Sequence, residues 1–336
     1  MTPELPWALR AALERRLDGV SRRDLGARAQ KVSAHYRQGG ASEAVVRGEA
    51  DALAYALTRL PATYAADLAV LAEAARLAPG YTPARLLDAG AGPGGGSWAA
   101  VSVWPSISQV TLADSSRPFL ALAAELAADG PPAMAGAERL AVDLARAAEL
   151  PRADLVLMSY ALAELAPEAQ DGAVDALWAA AGGLLALVEP GTPAGFARLR
   201  RARAKLIAAG ARILAPCPHE AECPLLEGDW CHFVQRLPRS RDHRLAKAAD
   251  APFEDEKFAY LVAAREHVAV APRGARVLTP PRAGKPGIEL KLCAPAGTAE
   301  TRFVARRDKA AFGIARRLVW GAALPPDGPD GGRDGN

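Results

Sequence analysis

The stretch that most constrains this chain is Leu86-Leu87-Asp88-Ala89-Gly90-Ala91-Gly92-Pro93-Gly94-Gly95-Gly96-Ser97. A short apolar run ends in an acid, glycines then fall at alternate positions, and a helix-compatible segment continues over 97–101. Glycine is needed where the backbone takes a positive φ or comes close to a ligand. A strand, a glycine turn and a helix N-terminus in succession form a nucleotide-binding corner.

The flanks agree with that corner. Apolar runs at 85–87, 109–113, 139–142, 154–158 and 184–188 alternate with helix-like stretches such as 118–128 and 172–181. This β-α series predicts a parallel sheet covered on both faces, and right-handed crossovers make it a doubly wound Rossmann-like domain of the α/β class. Residues 1–80 read as a helical cap, with helices at about 7–18, 22–36 and from 42 onward, the last interrupted at Pro61. A basic helix is expected at 196–209, an extended piece at 212–214, strands at 232–237 and 257–263, small antiparallel β structure between 276 and 304, and a closing helix at 309–320. The division expected is 1–80 cap, 81–210 core, 211–324 cysteine segment with the last core strands and a small β region, and 325–336 a disordered Pro/Gly/Asp tail.

No apolar run approaches the roughly 18 residues of a membrane span. The start, Met1-Thr2-Pro3-Glu4-Leu5-Pro6, lacks a secretory pattern, so a cytoplasmic protein without a membrane partner is expected. Charge divides unevenly: residues 1–195 hold 16 Lys/Arg against 22 Asp/Glu, and residues 196–336 hold 25 against 16. The asymmetry predicts either a basic face for a polyanion or an ordinary solvated surface. The nominated cations are Arg198, Arg200, Arg201, Arg203 and Lys205 on one helix, then Arg236, Arg239, Arg241, Arg244 and Lys247. Such groups contact phosphates without reading sequence. Sparse aromatics around them disfavour binding by stacking on a flexible single strand.

The dinucleotide fingerprint spaces its glycines G-x-G-x-x-G. Here Asp88-Ala89-Gly90-Ala91-Gly92-Pro93-Gly94 has G-x-G-x-G with an acid two residues ahead, and resembles the first motif of class I S-adenosylmethionine-dependent methyltransferases. No Lys-Ser/Thr follows, which excludes a P-loop. Asp114 ends the second predicted strand, where a carboxylate accepts ribose hydroxyls, and Asp143 follows the third, where that family meets adenine. The cofactor-binding set is therefore Asp88, Gly90, Gly92, Gly94, Asp114, Asp143 and Ser159. The rival reading is a Rossmann fold that has lost its ligand. Neither an Asn/Asp-Pro-Pro-aromatic motif nor a nucleophilic cysteine follows the fourth strand. Ser159, Tyr160 and Glu164 stand there, and catalytic residues stay unassigned.

The four cysteines all lie in the second half: Cys217, Cys223, Cys231 and Cys293. Without a secretion signal, clustered cysteines point to metal or redox chemistry. The C-x5-C-x7-C spacing is wider than zinc-ribbon knuckles. Three thiolates from a proline-rich loop and one from a distant strand suit an iron–sulfur cluster. Zinc is the alternative, with His219 or His232 as substitute ligands. The C-x3-C-x2-C spacing of radical S-adenosylmethionine enzymes is absent.

Glycine loop and cysteines together resemble one family, the small-ribosomal-subunit methyltransferase-like proteins of mitochondrial ribosome assembly, which has bacterial members. The motifs are Arg59-Leu60-Pro61-Ala62-Thr63-Tyr64, the glycine loop, Ser159-Tyr160 through Glu164-Leu165, Val188-Glu189-Pro190-Gly191-Thr192-Pro193, Cys217-Pro218-His219, Asp229-Trp230-Cys231-His232-Phe233, Lys257-Phe258-Ala259-Tyr260-Leu261 and Arg316-Arg317-Leu318-Val319-Trp320-Gly321. The resemblance implies a class I methyltransferase fold binding S-adenosylmethionine, with a 4Fe-4S cluster on Cys217, Cys223, Cys231 and Cys293. It implies work on the small ribosomal subunit and its 16S-type rRNA, as a monomer off the ribosome. Methyl transfer to rRNA, a non-catalytic assembly role with a vestigial cofactor site, and a zinc-containing methyltransferase of a protein or small molecule are the readings to separate.

Overall fold

The computed structural model describes residues 3–37, 45–146 and 149–324. Four helices come first: α1 (Trp7–Leu17), α2 (Arg22–Arg37), α3 (Glu49–Thr58) and α4 (Leu60–Leu77). The alternating part follows as β1 (Arg85–Ala89), α5 (Gly95–Val103), β2 (Gln109–Asp114), α6 (Arg117–Ala127), α7 (Pro132–Ala135), β3 (Glu138–Ala141), β4 (Ala153–Ser159), α8 (Pro167–Ala180), β5 (Ala181–Pro190), α9 (Pro193–Ala208) and β6 (Arg212–Ala215). After the cysteine loop come β7 (Phe233–Pro238), α10 (Arg241–Lys247), β8 (Phe253–Ala264), β9 (Arg276–Val277), β10 (Arg282–Ala283), β11 (Gly287–Cys293), β12 (Ala299–Ala305) and α11 (Lys309–Ala315).

The main sheet runs β3-β2-β1-β4-β5-β8-β6, with β7 also pairing β8. β1 through β5 pair in parallel, and β8 is antiparallel to β5, β6 and β7. Strand order reverses between β1 and β4, and ligands of open α/β sheets bind in the crevice at such a switch point. Burial explains the run-like strands: in β4 (ADLVLMS) only Asp154 is less than fully buried, as a strand covered on both faces demands. Local signals close the helices. Ser116 caps α6 by accepting from Phe119 N, and Thr192 caps α9 by accepting from Gly195 N.

A second sheet, β10-β11-β12 with β9 on β11, has its own core of Ala275, Val277, Ile288, Leu290, Leu292, Ala315 and Leu324. Cys293 ends β11, and the other cysteines lie in the loop joining β6 to β7.

Some boundaries differ from expectation. The third helical stretch breaks at Arg59, not at Pro61, because proline is tolerated in a helix's first turn and here opens α4. The closing helix ends at Ala315, five residues early, and the chain then turns so that Trp320 reaches His232. The tail at 325–336 lies outside the described residues. Among the described residues, no helix is long and apolar enough to cross a membrane.

Candidate functional site

The glycine loop sits at the switch point and is held by its own backbone. Gly90 N and Ala91 N both donate to Ala113 O, at 2.7 and 3.2 Å. Gly90 has φ +75°, and a Cβ there would lie 2.3 Å from Ala161 Cβ, so only glycine fits. Gly94 takes φ +86° as N-cap of α5. It serves the turn, while Gly90 and Gly92 line the cavity beside it.

Asp114 is buried, and each carboxylate oxygen accepts a backbone N–H at 2.8 Å: Gly92 on one, Ser116 on the other. The cavity they face is also lined by Tyr55, Val142, Asp143, Leu144, Ser159, Tyr160 and Glu164. Asp143 accepts from Ala145 N at 2.9 Å and is half exposed at the apolar Val142–Leu144 edge. Asp88 is used differently. Its Oδ2 accepts from Ser97 N (3.0 Å) and Ser97 Oγ (2.7 Å), binding the strand end to the start of α5, and burial pushes its pKa up to about 6.

The sequence reading missed the polar groups that reach this site from elsewhere. Asp67 of α4 is fully buried and accepts from Ser159 Oγ at 2.6 Å, leaving its Oδ2 without a partner. Burial raises its pKa well above the usual carboxylate range, with the Ser159 bond opposing and the nearby Asp88 adding to the rise. Gly96 separates the two acids: a Cβ there would lie 3.1 Å from Asp67 Oδ2 and 3.3 Å from Asp88 Oδ2. Glu256 of β8 accepts from Arg59 Nη2 and from Tyr160 Oη, both at 2.9 Å. Tyr160 has φ +57°, and the Arg59 guanidinium lies 5.7 Å from its ring centre. Tyr160 is thus fastened to the scaffold, which ties the helical cap to the sheet. Glu256 stands 92 residues beyond Glu164, so no local spacing links it to this pocket.

The second candidate centre is a cavity whose lining includes all four cysteines, Cys217, Cys223, Cys231 and Cys293, with Leu199, Leu225 and Leu278 as apolar wall. Among the described residues, no three His, Cys, Asp or Glu side chains converge closely enough to hold a single metal ion. Burial raises Cys293 to about 12 and Cys231 well above the usual thiol value, and the neighbouring cysteines push both further up. His219 places Nε2 3.3 Å from Cys293 Sγ. His232 does not line the cavity. It stacks on Trp230 (5.2 Å, 15°) and meets Trp320 edge-on at 4.7 Å.

Two buried guanidinium groups share this cavity. Arg276 pairs with Glu73 at 2.7 Å and donates to Pro216 O and Gly321 O. Arg203, 6% exposed, donates to His219 O at 2.7 Å, has an unpartnered Nε and forms no ion pair with a described residue. A buried cation without a counter-charge is costly. Ionised cysteines would supply that charge, so the residues present fit an anionic thiolate-bound metal group.

The same geometry corrects the basic-face expectation. Arg203 is internal. Arg198 pairs with Glu189, Arg201 with Asp171 and Lys205 with Asp175, while Arg200 donates to the carbonyls of Cys223 and Leu225. Arg236 pairs with Asp255, and Arg239 and Lys247 both pair with Glu254. These cations mostly hold the fold together.

The quoted motifs also meet in space: Trp230 Nε1 donates to Gly191 O at 3.2 Å, Trp320 packs on His232, and Phe233 lies against Gly321. The family described as mitochondrial small ribosomal subunit Rsm22 matches residues 49–325. The chain belongs to that family. The human mitochondrial ribosome assembly protein METTL17 is 29% identical over 291 residues, 81% of this chain and 62% of the human protein. The mitochondrial Rsm22-cox11 tandem protein 2 of Schizosaccharomyces pombe is 27% identical, covering 82% of this chain and 43% of that protein. This chain therefore spans less than two thirds of the length of either relative. Among solved structures, the N-methyltransferase NodS from Bradyrhizobium japonicum, in complex with S-adenosyl-l-homocysteine, aligns at 11% identity and a TM-score of 0.42 over 70% of this chain and 98% of its own. The Rossmann-like assignment rests on strand order, not on that likeness.

Proposed function

We propose that this protein binds S-adenosylmethionine in the switch-point cavity, holds a 4Fe-4S cluster on Cys217, Cys223, Cys231 and Cys293, and acts in maturation of the small ribosomal subunit. In this reading it works in the cytoplasm, as a monomer when off the ribosome. The observation that carries it is the pairing, in one family member, of the Asp114-anchored glycine loop with a four-cysteine cavity holding a buried arginine whose Nε has no partner. When bound, S-adenosylmethionine supplies an electrophilic methyl group. Asp114 would accept the ribose hydroxyls at the strand end, and Val142 and Leu144 would border the adenine beside Asp143. Ser159 would flank the amino-acid portion.

The polar groups of the pocket floor favour a binding role. Ser159 is bonded to Asp67, and Tyr160 to Glu256. Methyl transfer to rRNA is the second reading, favoured by Glu164 and Tyr55, which line the cavity. The four thiols that line one cavity support the cluster reading. Calorimetry with S-adenosylmethionine tests the pocket. The wild type should bind, and Asp114→Asn, which keeps one of the two backbone acceptors and replaces the other with an NH2 donor, should bind at least about tenfold more weakly. No binding by the wild type contradicts the cofactor assignment. Transfer of labelled methyl to small-subunit rRNA would establish the second reading.

A further inference from the structure

The cations nominated from sequence are largely consumed by internal pairs, yet the C-terminal half carries the chain's positive excess. The structure gathers six others in one place. Lys285, Arg306, Arg307, Lys309, Arg316 and Arg317 are all exposed, and none forms an ion pair with a described residue. They lie around one short element. Arg306 N donates to Pro286 O at 2.9 Å, which brings the turn carrying Lys285 beside the end of β12. Arg306 also lies 5.3 Å from the Phe312 ring centre on α11. In α11, Ala311 and Ala315 are buried, Ala315 in the second sheet's core. Lys309 and Arg316, seven residues apart, therefore share the opposite face. Gly313 lies between them, with nothing within 4 Å of where its Cβ would be. The acid in this segment, Asp308, is occupied as N-cap, accepting from Ala311 N at 3.1 Å.

We propose that this cluster, on β12, α11 and the β10–β11 turn, is the surface that takes the phosphate backbone of small-subunit rRNA. The proposal rests on the ribosomal reading above and names its contact face. A set of exposed, unpaired cations around a small helix complements a run of phosphates. Recognition by charge and shape needs no aromatic platform, and each phosphate neutralised adds to the salt dependence.

The test is binding of the full-length, anaerobically purified chain to protein-free small-subunit rRNA between 50 and 300 mM salt. A variant with Arg307, Lys309, Arg316 and Arg317 all changed to Gln should bind at least about tenfold more weakly at 100 mM salt. Its log-log salt slope should fall by about two to three units. Reversal of the paired cations, Arg201→Glu with Lys205→Glu, should leave both quantities near wild type. Unchanged iron content and S-adenosylmethionine binding in the Gln variant would show that the fold is intact. Gly313→Glu alone, which places an acid on the same face, should also weaken binding. Equal binding by wild type and Gln variant overturns this assignment and leaves the ribosomal reading standing. Wild-type protein that ignores rRNA but is captured by phosphatidylglycerol vesicles overturns both.

Discussion

Single residues carry two opposed electrostatic problems. Asp67 and Asp88 are buried acids whose pKa values are raised above the usual 3.8, Asp88 to about 6. The folded chain thus holds these protons more tightly than the unfolded chain. Their contribution to stability is complete below about pH 4 and is lost as pH rises through the folded values. Asp67→Asn cannot ionise, so its Tm relative to wild type should rise from pH 5 to pH 8. Equal destabilisation at both pH values contradicts a protonated Asp67. Arg203 is the converse, a buried cation without a carboxylate. Arg203→Met should stabilise the metal-free protein by about 1–3 kcal/mol and destabilise the iron-loaded form, read as Tm shifts of opposite sign. Sequence could not show this role. Arg203 sits in a run of basic residues on α9, and only the packing of the cysteine loop on that helix decides which of them is internal.

Between elements, one polar junction of the cap with the sheet centres on Glu256. Glu256 of β8 accepts from Arg59 at the α3–α4 break and from Tyr160 after β4. Glu256→Ala removes the acceptor for both and should cost about 2–3 kcal/mol by urea denaturation. Part of that cost should be shared with Tyr160→Phe in a double-mutant cycle; strict additivity would contradict the junction. Gly96→Ala tests the contact of α5 with the sheet. Its Cβ would lie 2.5 Å from Leu157 Cδ2, so a loss of about 1–3 kcal/mol is expected. The β-α alternation and the glycine loop were legible because they are local: an apolar run, a turn requirement and a helix start lie within a dozen residues. Asp114 was legible as an acid at a strand end. Asp67, Arg59 and Glu256 were not, since they meet only through the tertiary fold and no spacing rule joins them.

At the scale of the molecule, the cysteines join two cores. Cys217, Cys223 and Cys231 come from the loop between two strands of the main sheet, and Cys293 ends a strand of the second sheet. Arg276 adds a polar tie, reaching from β9 to Glu73 of α4 and to the carbonyls of Pro216 and Gly321. A metal group bound by all four thiolates would fix the second sheet, and the basic cluster it carries, against the main sheet. Family membership rests on the match of residues 49–325, and within that span the fold brings Trp230, His232 and Trp320 together. The most direct measurement is the iron and acid-labile sulfide content of anaerobically purified protein. Brown protein with about four of each per chain is expected, lost together in Cys293→Ser. Colourless protein carrying a single zinc ion per chain would contradict the cluster reading.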